Sequence, residues 1–339
     1  DQSADVMTLT HPSYDTRDLS RTGHAAWTLS LKAFSPTQDH PDGLALTVGG
    51  AAGTTTYKYQ VTALAEDTLE ESLPAARSTS ATITGATAAN PVVITATAHG
   101  FSNGDEVEIN SVVGMTEFNG RRFVVANKTA NTFELSGENG TAHTAYTSGG
   151  TAHATHAEVT NGNATLSAAN NITVAWTEEA RAARYAVYRR KDGIYGLIGE
   201  TEETSYLDDG KTPDLDSSPP KYREPFVGAN NKPASTGFYE QRQLYGGMNN
   251  DPDTTEYSQT ANYGNLSRST PSRADDAITA TLNSRQVNEI RHYVPLNDLI
   301  VLTSGGAWRI RSGEDTGFTA TTLRQKPQDE WGAGHQRPA

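Results

Sequence analysis

The stretch VPLNDLIVLTSGGAWRI, Val294–Ile310, alternates with a period of two on both sides of a Gly-Gly pair. Leu299, Val301 and Thr303 fall on one face and Ile300 and Leu302 on the other, and Trp308 and Ile310 resume the alternation beyond Gly305-Gly306. This pattern predicts two short strands joined by a tight turn. No acid or base lies between Leu299 and Ala307, so the hairpin reads as packing surface. Its structural candidates are Gly305 and Gly306 for the turn and Trp308, with Leu299 and Val301, for sealing the sheet against a neighbour.

Working outward, the 339-residue chain is long enough for two or three cores, since domains usually run to roughly 100–200 residues. Thirty Gly, fifteen Pro and heavy use of Thr, Val and Tyr favour strands and turns. The fold class expected is all-β. The absence of cysteine excludes disulfides, thiolate zinc sites and thiol nucleophiles. No run approaches the ~20 apolar residues of a membrane helix. The net charge of −13, from 27 Lys and Arg against 40 Asp and Glu, argues against broad phosphate binding. An acidic wall repels DNA, which suits a surface past which DNA must slide. The chain opens on Asp1 and closes on GHQRPA without a terminating pattern, so a fragment is expected.

Composition divides the chain further. Residues 1–45 carry three short strands separated by His-Pro-Ser and Arg-Thr-Gly-His turns. Residues 46–85 place Tyr57, Tyr59, Val61 and Ala63 at period two before an acidic turn. Thr/Ala-rich joints set off residues 86–150 as an insertion. Residues 151–212 supply about four strands, marked by Ile172, Val174 and Trp176, by Tyr185, Val187 and Tyr188, then by Ile198 and Tyr206. A Pro-rich linker at 213–225 precedes residues 226–339, where strands and turns recur at the spacing of sandwich, barrel or propeller blades. Ser284–His292 fits a strand slightly better than a helical turn, and FTATTLRQK, from Phe318, begins another strand.

Several fragments imitate reactive motifs. Gly210-Lys211-Thr212 lacks the earlier Gly and the following helix of a phosphate-binding loop. His143, His153 and His156 lie in a Gly/Thr/Ala-rich stretch and read as surface histidines rather than metal ligands. Asn249–Glu256 has the oxygen density of a calcium loop without its sixth-position Gly, so a polar turn is expected. The pairs Asp208-Asp209 and Asp275-Asp276 point their carboxylates apart, whereas paired catalytic carboxylates converge. Ser304 is not flanked by Gly on both sides as a nucleophile elbow requires. Arg121-Arg122 and Arg189-Arg190-Lys191 read as solvated strand faces. No catalytic residue, cofactor site or metal site is expected.

Two resemblances organise these pieces. NITVAWTEEARAARYAVYRRKDG resembles a fibronectin type III domain, in which a strand Trp packs under a Tyr-Val-Tyr strand; here Trp176, Tyr185 and Tyr188 take those places. The Tyr57–Pro74 hairpin, which comes last in that family, comes first here, implying a circularly permuted sandwich, or else two incomplete ones. The opening SADVMTLTHPSYDTRDLSRTGHAAWTL, the later FYEQRQLYGG and above all DDAITATLNSRQVNEIRHYVPLNDLIVLTSGGAWRI resemble the tail nozzle, or packaged-DNA stabilisation, proteins of short-tailed bacteriophages. The block NPVVITATAHGFSNGDEVEINSVVGMTEFNGRRFVVANKTANTFELSG is similar to a small β-domain inserted in such proteins. That domain is related to a barrel-like module of ubiquitin-activating enzymes, with no ubiquitin chemistry implied.

The nozzle resemblance implies partial β-propeller blades at 1–45 and 226–339, interrupted by the sandwich (46–85 with 151–212) and its small β-barrel-like insertion (86–150). It implies a virion protein assembled in the host cytoplasm, with six copies in a ring. That ring meets adaptor and portal-proximal proteins and tail fibres, and double-stranded DNA passes through it transiently. Two other readings stand beside it. One is an adhesin recognising host glycan or protein; the other is a depolymerase, which needs acids or histidines clustered at a propeller mouth.

Overall fold

The computed structural model describes residues 2–3, 5–68, 70–313 and 317–336, with side chains from residue 5 onward. Asp1 and the end of the closing GHQRPA, on which the fragment expectation rests, lie outside these residues. The chain is all-β and forms two compact units, residues 1–37 with 223–339, and residues 38–222. Among the described residues no helix is long and apolar enough to cross a membrane.

The first unit holds three four-stranded antiparallel sheets in which chain neighbours are sheet neighbours, the topology of propeller blades. The first comprises Gln2–Ser3, Val6–His11, Tyr14–Gly23 and Ala26–Leu31. The second comprises Ser235–Tyr239, Arg242–Gly246, Thr254–Tyr257 and Ile278–Thr281. The third comprises Ile290–Pro295, Leu299–Thr303, Ala307–Arg311 and Arg324–Asp329. The strand expected over 284–292 thus begins only at Ile290.

The opening hairpin forms the two central strands of the third sheet. Val301 pairs with Trp308 and Leu299 with Ile310. These four side chains are buried in one core with Tyr239, Leu244, Tyr257 and Ile278 of the second sheet, so the alternation selects the face on which two sheets meet. The turn closes when Thr303 N–H donates to the Gly306 carbonyl, 2.8 Å away. Neither glycine takes a positive φ. Close approach explains them instead: a Cβ on Gly306 would stand 2.7 Å from the Asp329 carbonyl oxygen, and one on Gly305 would strike Asn288 Oδ1.

The second sheet is covered on both faces, the far one by Tyr245, Met248, Leu266 and Phe226 with Phe34 packed against them. Its first two strands join at Glu240-Gln241, with φ of 47° and 57°. Two left-handed residues are what a two-residue hairpin turn demands, but Asn-Gly usually supplies them. Left-handed backbone costs an ordinary residue about 1–2 kcal/mol, and glycine gives back roughly half of the gain in unfolded-chain entropy. Exposed Gln241→Gly is therefore expected to stabilise this unit by about 0.5–1 kcal/mol. A rise in the urea midpoint checks this, and a fall would show that the Gln241 side chain contributes contacts.

In the second unit, Ala157–Gly162, Thr55–Ala65, Ala182–Lys191 and Ile194–Thr201 form one sheet in that order. Ser205–Asp208, Asn171–Ala175 and Ala45–Gly49 form another. They share one core of Tyr59, Val61, Ile172, Val174, Trp176, Tyr185 and Val187. Between Thr55–Ala65 and Ala157–Gly162 in the chain lies a seven-stranded sheet with a separate Phe-rich core. Its two edge strands, Ser80–Thr82 and Gly85–Ala86, are consecutive in sequence. Ile83 N–H donates to Gly150 on one side and Thr84 N–H to Thr95 on the other, 2.9 Å each, so the sheet wraps in a barrel-like curl. The boundaries therefore differ from those expected: residues 80–85 and 151–154 belong to the inserted sheet, and residues 38–45 belong to the second unit, with Ala45 in the sandwich. The Thr/Ala-rich joints hide the pairing because small side chains blur the two-residue period.

Candidate functional site

Polar side chains gather around a cleft in each unit. In the first unit, a cavity of about 470 Å³ opens where the first strands of the second and third sheets meet Thr8–Thr10 of the first. Arg291 Nε donates to Glu289 Oε2 at 3.3 Å and Nη1 donates to the Ala333 carbonyl, while His292 Nε2 donates to the Gly334 carbonyl at 2.9 Å. These bonds pin the 333–335 segment beside the cavity, which His335 also lines. Tyr293 bonds Thr255 Oγ1 at 2.9 Å, and burial pushes its hydroxyl pKa far up. The lining thus offers hydroxyls, imidazoles and one Glu–Arg pair, groups that hold a polar surface. Among the described residues no three His, Asp or Glu side chains are placed to hold a metal ion.

In the second unit, charged residues of the inserted domain meet the sandwich along a seam. Lys58 Nζ lies 3.1 Å from Asp105 Oδ1, 2.8 Å from Glu158 Oε2 and 3.2 Å from His156 Nε2. An ammonium has only donors, so His156 Nε2 must accept and the imidazole is neutral. Burial, then the Lys58 and Arg77 charges, outweigh Asp105 and Glu158 and push His156 down to about 4. Beside it, Glu108 receives His40 Nε2 at 3.0 Å, Arg122 Nη2 at 2.9 Å and Asn110 Nδ2 at 2.8 Å. Burial raises the Glu108 pKa, but these donors and cations outweigh it and hold the carboxyl far below its usual range. Glu106 moves the other way: burial pushes it up against the pull of Arg122 and Lys221. A cleft of about 600 Å³ runs along this seam, lined by His40, Asp42, Arg77, Glu108 and His153.

The residues singled out from sequence fall as follows. Trp176 and Tyr185 are buried together with ring centroids 5.2 Å apart. Tyr188 is buried outside that core, its hydroxyl donating to Glu71 Oε1 at 2.6 Å. Gly305, Gly306 and Trp308 lie in the blade hairpin. The three histidines do not converge, and two are not surface residues. His156 is buried at the seam, and His143 packs on Phe118 and contacts Glu138 Oε1 at 2.8 Å. Arg122 is buried rather than solvated, and Arg121 forms a bidentate pair with Glu138.

Asp208 caps the Gly210 and Lys211 amides, leaving that loop no free cradle for phosphate. Glu256, at the end of the calcium-like stretch, is buried and clamped by Arg223. Ser304 Oγ accepts from Glu289 N–H within its hairpin. Sequence reasoning missed Lys58, Asp105, Glu108 and His40, because residues so far apart in the chain carry no shared spacing.

Residues 89–156 match the family described as the ubiquitin-activating enzyme E1 FCCH domain, which bears out the resemblance of that block to a module of those enzymes. No curated protein matches the chain. Among solved structures that match, the Phage phi92 endosialidase is similar over 92% of this chain and 52% of that one, at 9% identity and a TM-score of 0.20. The chain thus spans about half the length of that endosialidase.

Proposed function

We propose that the chain is a structural component of a short bacteriophage tail, a nozzle subunit of which six copies form a ring that retains packaged DNA and passes it into the host. One observation carries this reading: the blade sheets come from both ends of the chain, with the sandwich and its insertion looped out between them. That interrupted-propeller order is what the nozzle resemblance implies. The FCCH match at 89–156 agrees with the insertion described for such proteins. Within this reading the sandwich is a permuted fibronectin type III-like domain, supported by its four-plus-three sheets and the Trp176–Tyr185 contact. Stiff sheets and broad subunit contacts suit a ring that must stand DNA pressure, and a net charge of −13 suits a wall that must not grip phosphates. Electron microscopy of the assembled particle is expected to show this protein as a ring with a central pore; particles with no such ring would end the proposal.

A second reading is favoured by the 600 Å³ polar cleft of the second unit. Such a cleft fits an adhesin that holds a hydroxyl-rich glycan or a protein segment. Binding of the full chain to host cells, lost when Glu108 and His40 are replaced, would support it over the conduit.

A further inference from the structure

We propose that the inserted domain, residues 80–154, is latched onto the sandwich by charge, and that His156 is the element that frees it in acid. The inference is independent of the function proposed above.

The two domains have separate apolar cores, and the Lys58–Asp105 and His40–Glu108 ion pairs cross between them. His156 stands at the pivot. Thr155-His156 is the whole connection between Ser148–Ala154, the last inserted strand, and Ala157–Gly162 of the sandwich. The other connection runs beside it, where Arg77 N–H donates to the Ala154 carbonyl at 2.8 Å. A proton on His156 Nε2 removes the acceptor that Lys58 uses and sets two cations 3.2 Å apart at the hinge.

The groups facing the imidazole set the balance. Asp105 lies 3.7 Å away on the inserted domain, and Glu158 stands in the sandwich strand that follows the link. Both favour the proton. Lys58 from the neighbouring strand and Arg77 from the other connection oppose it, as does burial. The Tyr195 ring, with centroid 6.5 Å away, adds no charge, because burial raises its hydroxyl pKa far beyond the range considered. Farther along the seam, Glu106, Glu108, Arg122 and Lys221 interact among themselves.

The sign follows from linkage. Closed, the imidazole takes a proton only near pH 4; released into water it does so near its ordinary 6.5. Above 6.5 the latch holds at full strength. Between 6.5 and about 4 the released state binds the extra proton, so each pH unit shifts the equilibrium about tenfold toward release, on the order of 300-fold in all. Glu106 works the other way: burial in the closed form raises its pKa, so its protonation in acid favours the closed form and opposes release.

The chain has no cysteine, so labels can be placed cleanly. Spin labels at Ala130→Cys in the inserted domain and Glu202→Cys in the sandwich, both exposed sites, report the distance between the domains in the full chain. One narrow distribution is expected at pH 7.5, with a second, broader population growing reversibly between pH 6.5 and 4. In His156→Gln the amide oxygen still accepts from Lys58 but takes no proton there, so the narrow distribution is expected to persist over that range. An unchanged wild-type distribution down to pH 4 would overturn the proposal, as would broadening of the Gln variant over the same range. Should the variant not fold, the wild-type titration decides alone: release beginning only below pH 4 assigns it to carboxylates and overturns the role of His156.

Discussion

Trp308→Ala is expected to destabilise the first unit by about 3–5 kcal/mol, the usual range for truncating a buried indole. Trp308 is 7% exposed and packs in the core shared by the second and third sheets. Its cross-strand partners are Val301 on one side and Pro327 on the other, so the indole fills the centre of its sheet's buried face. Removing it opens a void between two sheets whose backbones are fixed by their own ladders and collapse only partly. Trp308→Phe keeps most of the volume and is expected to lose less than about 1.5 kcal/mol. Urea denaturation followed by far-ultraviolet circular dichroism measures both. A loss below about 1 kcal/mol for the alanine variant would mean that the face bearing Trp308 is open to solvent.

This prediction could be framed from sequence because the hairpin carries its own information. A period of two tells which side chains share a face, and Leu299, Val301, Trp308 and Ile310 do share one. The same pattern does not tell whether a face is covered. Trp27, Leu29 and Leu31 alternate as cleanly, yet they are 55%, 52% and 61% exposed, while the polar residues Thr8 and Thr16 of the same sheet are buried. Turns were legible where Gly, Asn or Pro marked them and invisible at Glu240-Gln241, where ordinary residues take left-handed backbone. The seam was invisible for another reason. Lys58, Asp105 and His156 meet only after the inserted sheet has folded, and each alone looks like a surface charge. His156 is 5% exposed, in the two-residue link between the inserted sheet and the sandwich.

Arg242 was equally silent in the sequence and carries the other large effect. It is 1% exposed, and its guanidinium donates to main-chain carbonyls: Ser258 at 2.7 Å, Asp276 at 2.6 Å and Ala274 at 2.9 Å, with longer bonds to Asp275 and Phe318 at 3.4 Å. One planar fork thereby ties the 274–276 loop and Phe318 to the second sheet. Burial lowers the Arg242 pKa, which Asp275 and Asp276 partly oppose, and an arginine still remains charged at any ordinary pH. Arg242→Met keeps a chain of similar length but leaves at least three carbonyls without donors, each worth about 1–3 kcal/mol when buried and unsatisfied. Allowing for water reaching some of them, a net loss of about 3–5 kcal/mol is expected. Arg242→Lys should fall between, because an ammonium supplies three donors from a single point and cannot span carbonyls spread along a fork. If lysine matches arginine in the urea midpoint, the charge alone suffices. If methionine matches it, the loop is held by its own backbone and by Asp276, which accepts from Ser269 and Arg273 N–H at 2.9 and 2.8 Å. Loss ordered as methionine, then lysine, then arginine would show that the fork's geometry sets how firmly the loop is held.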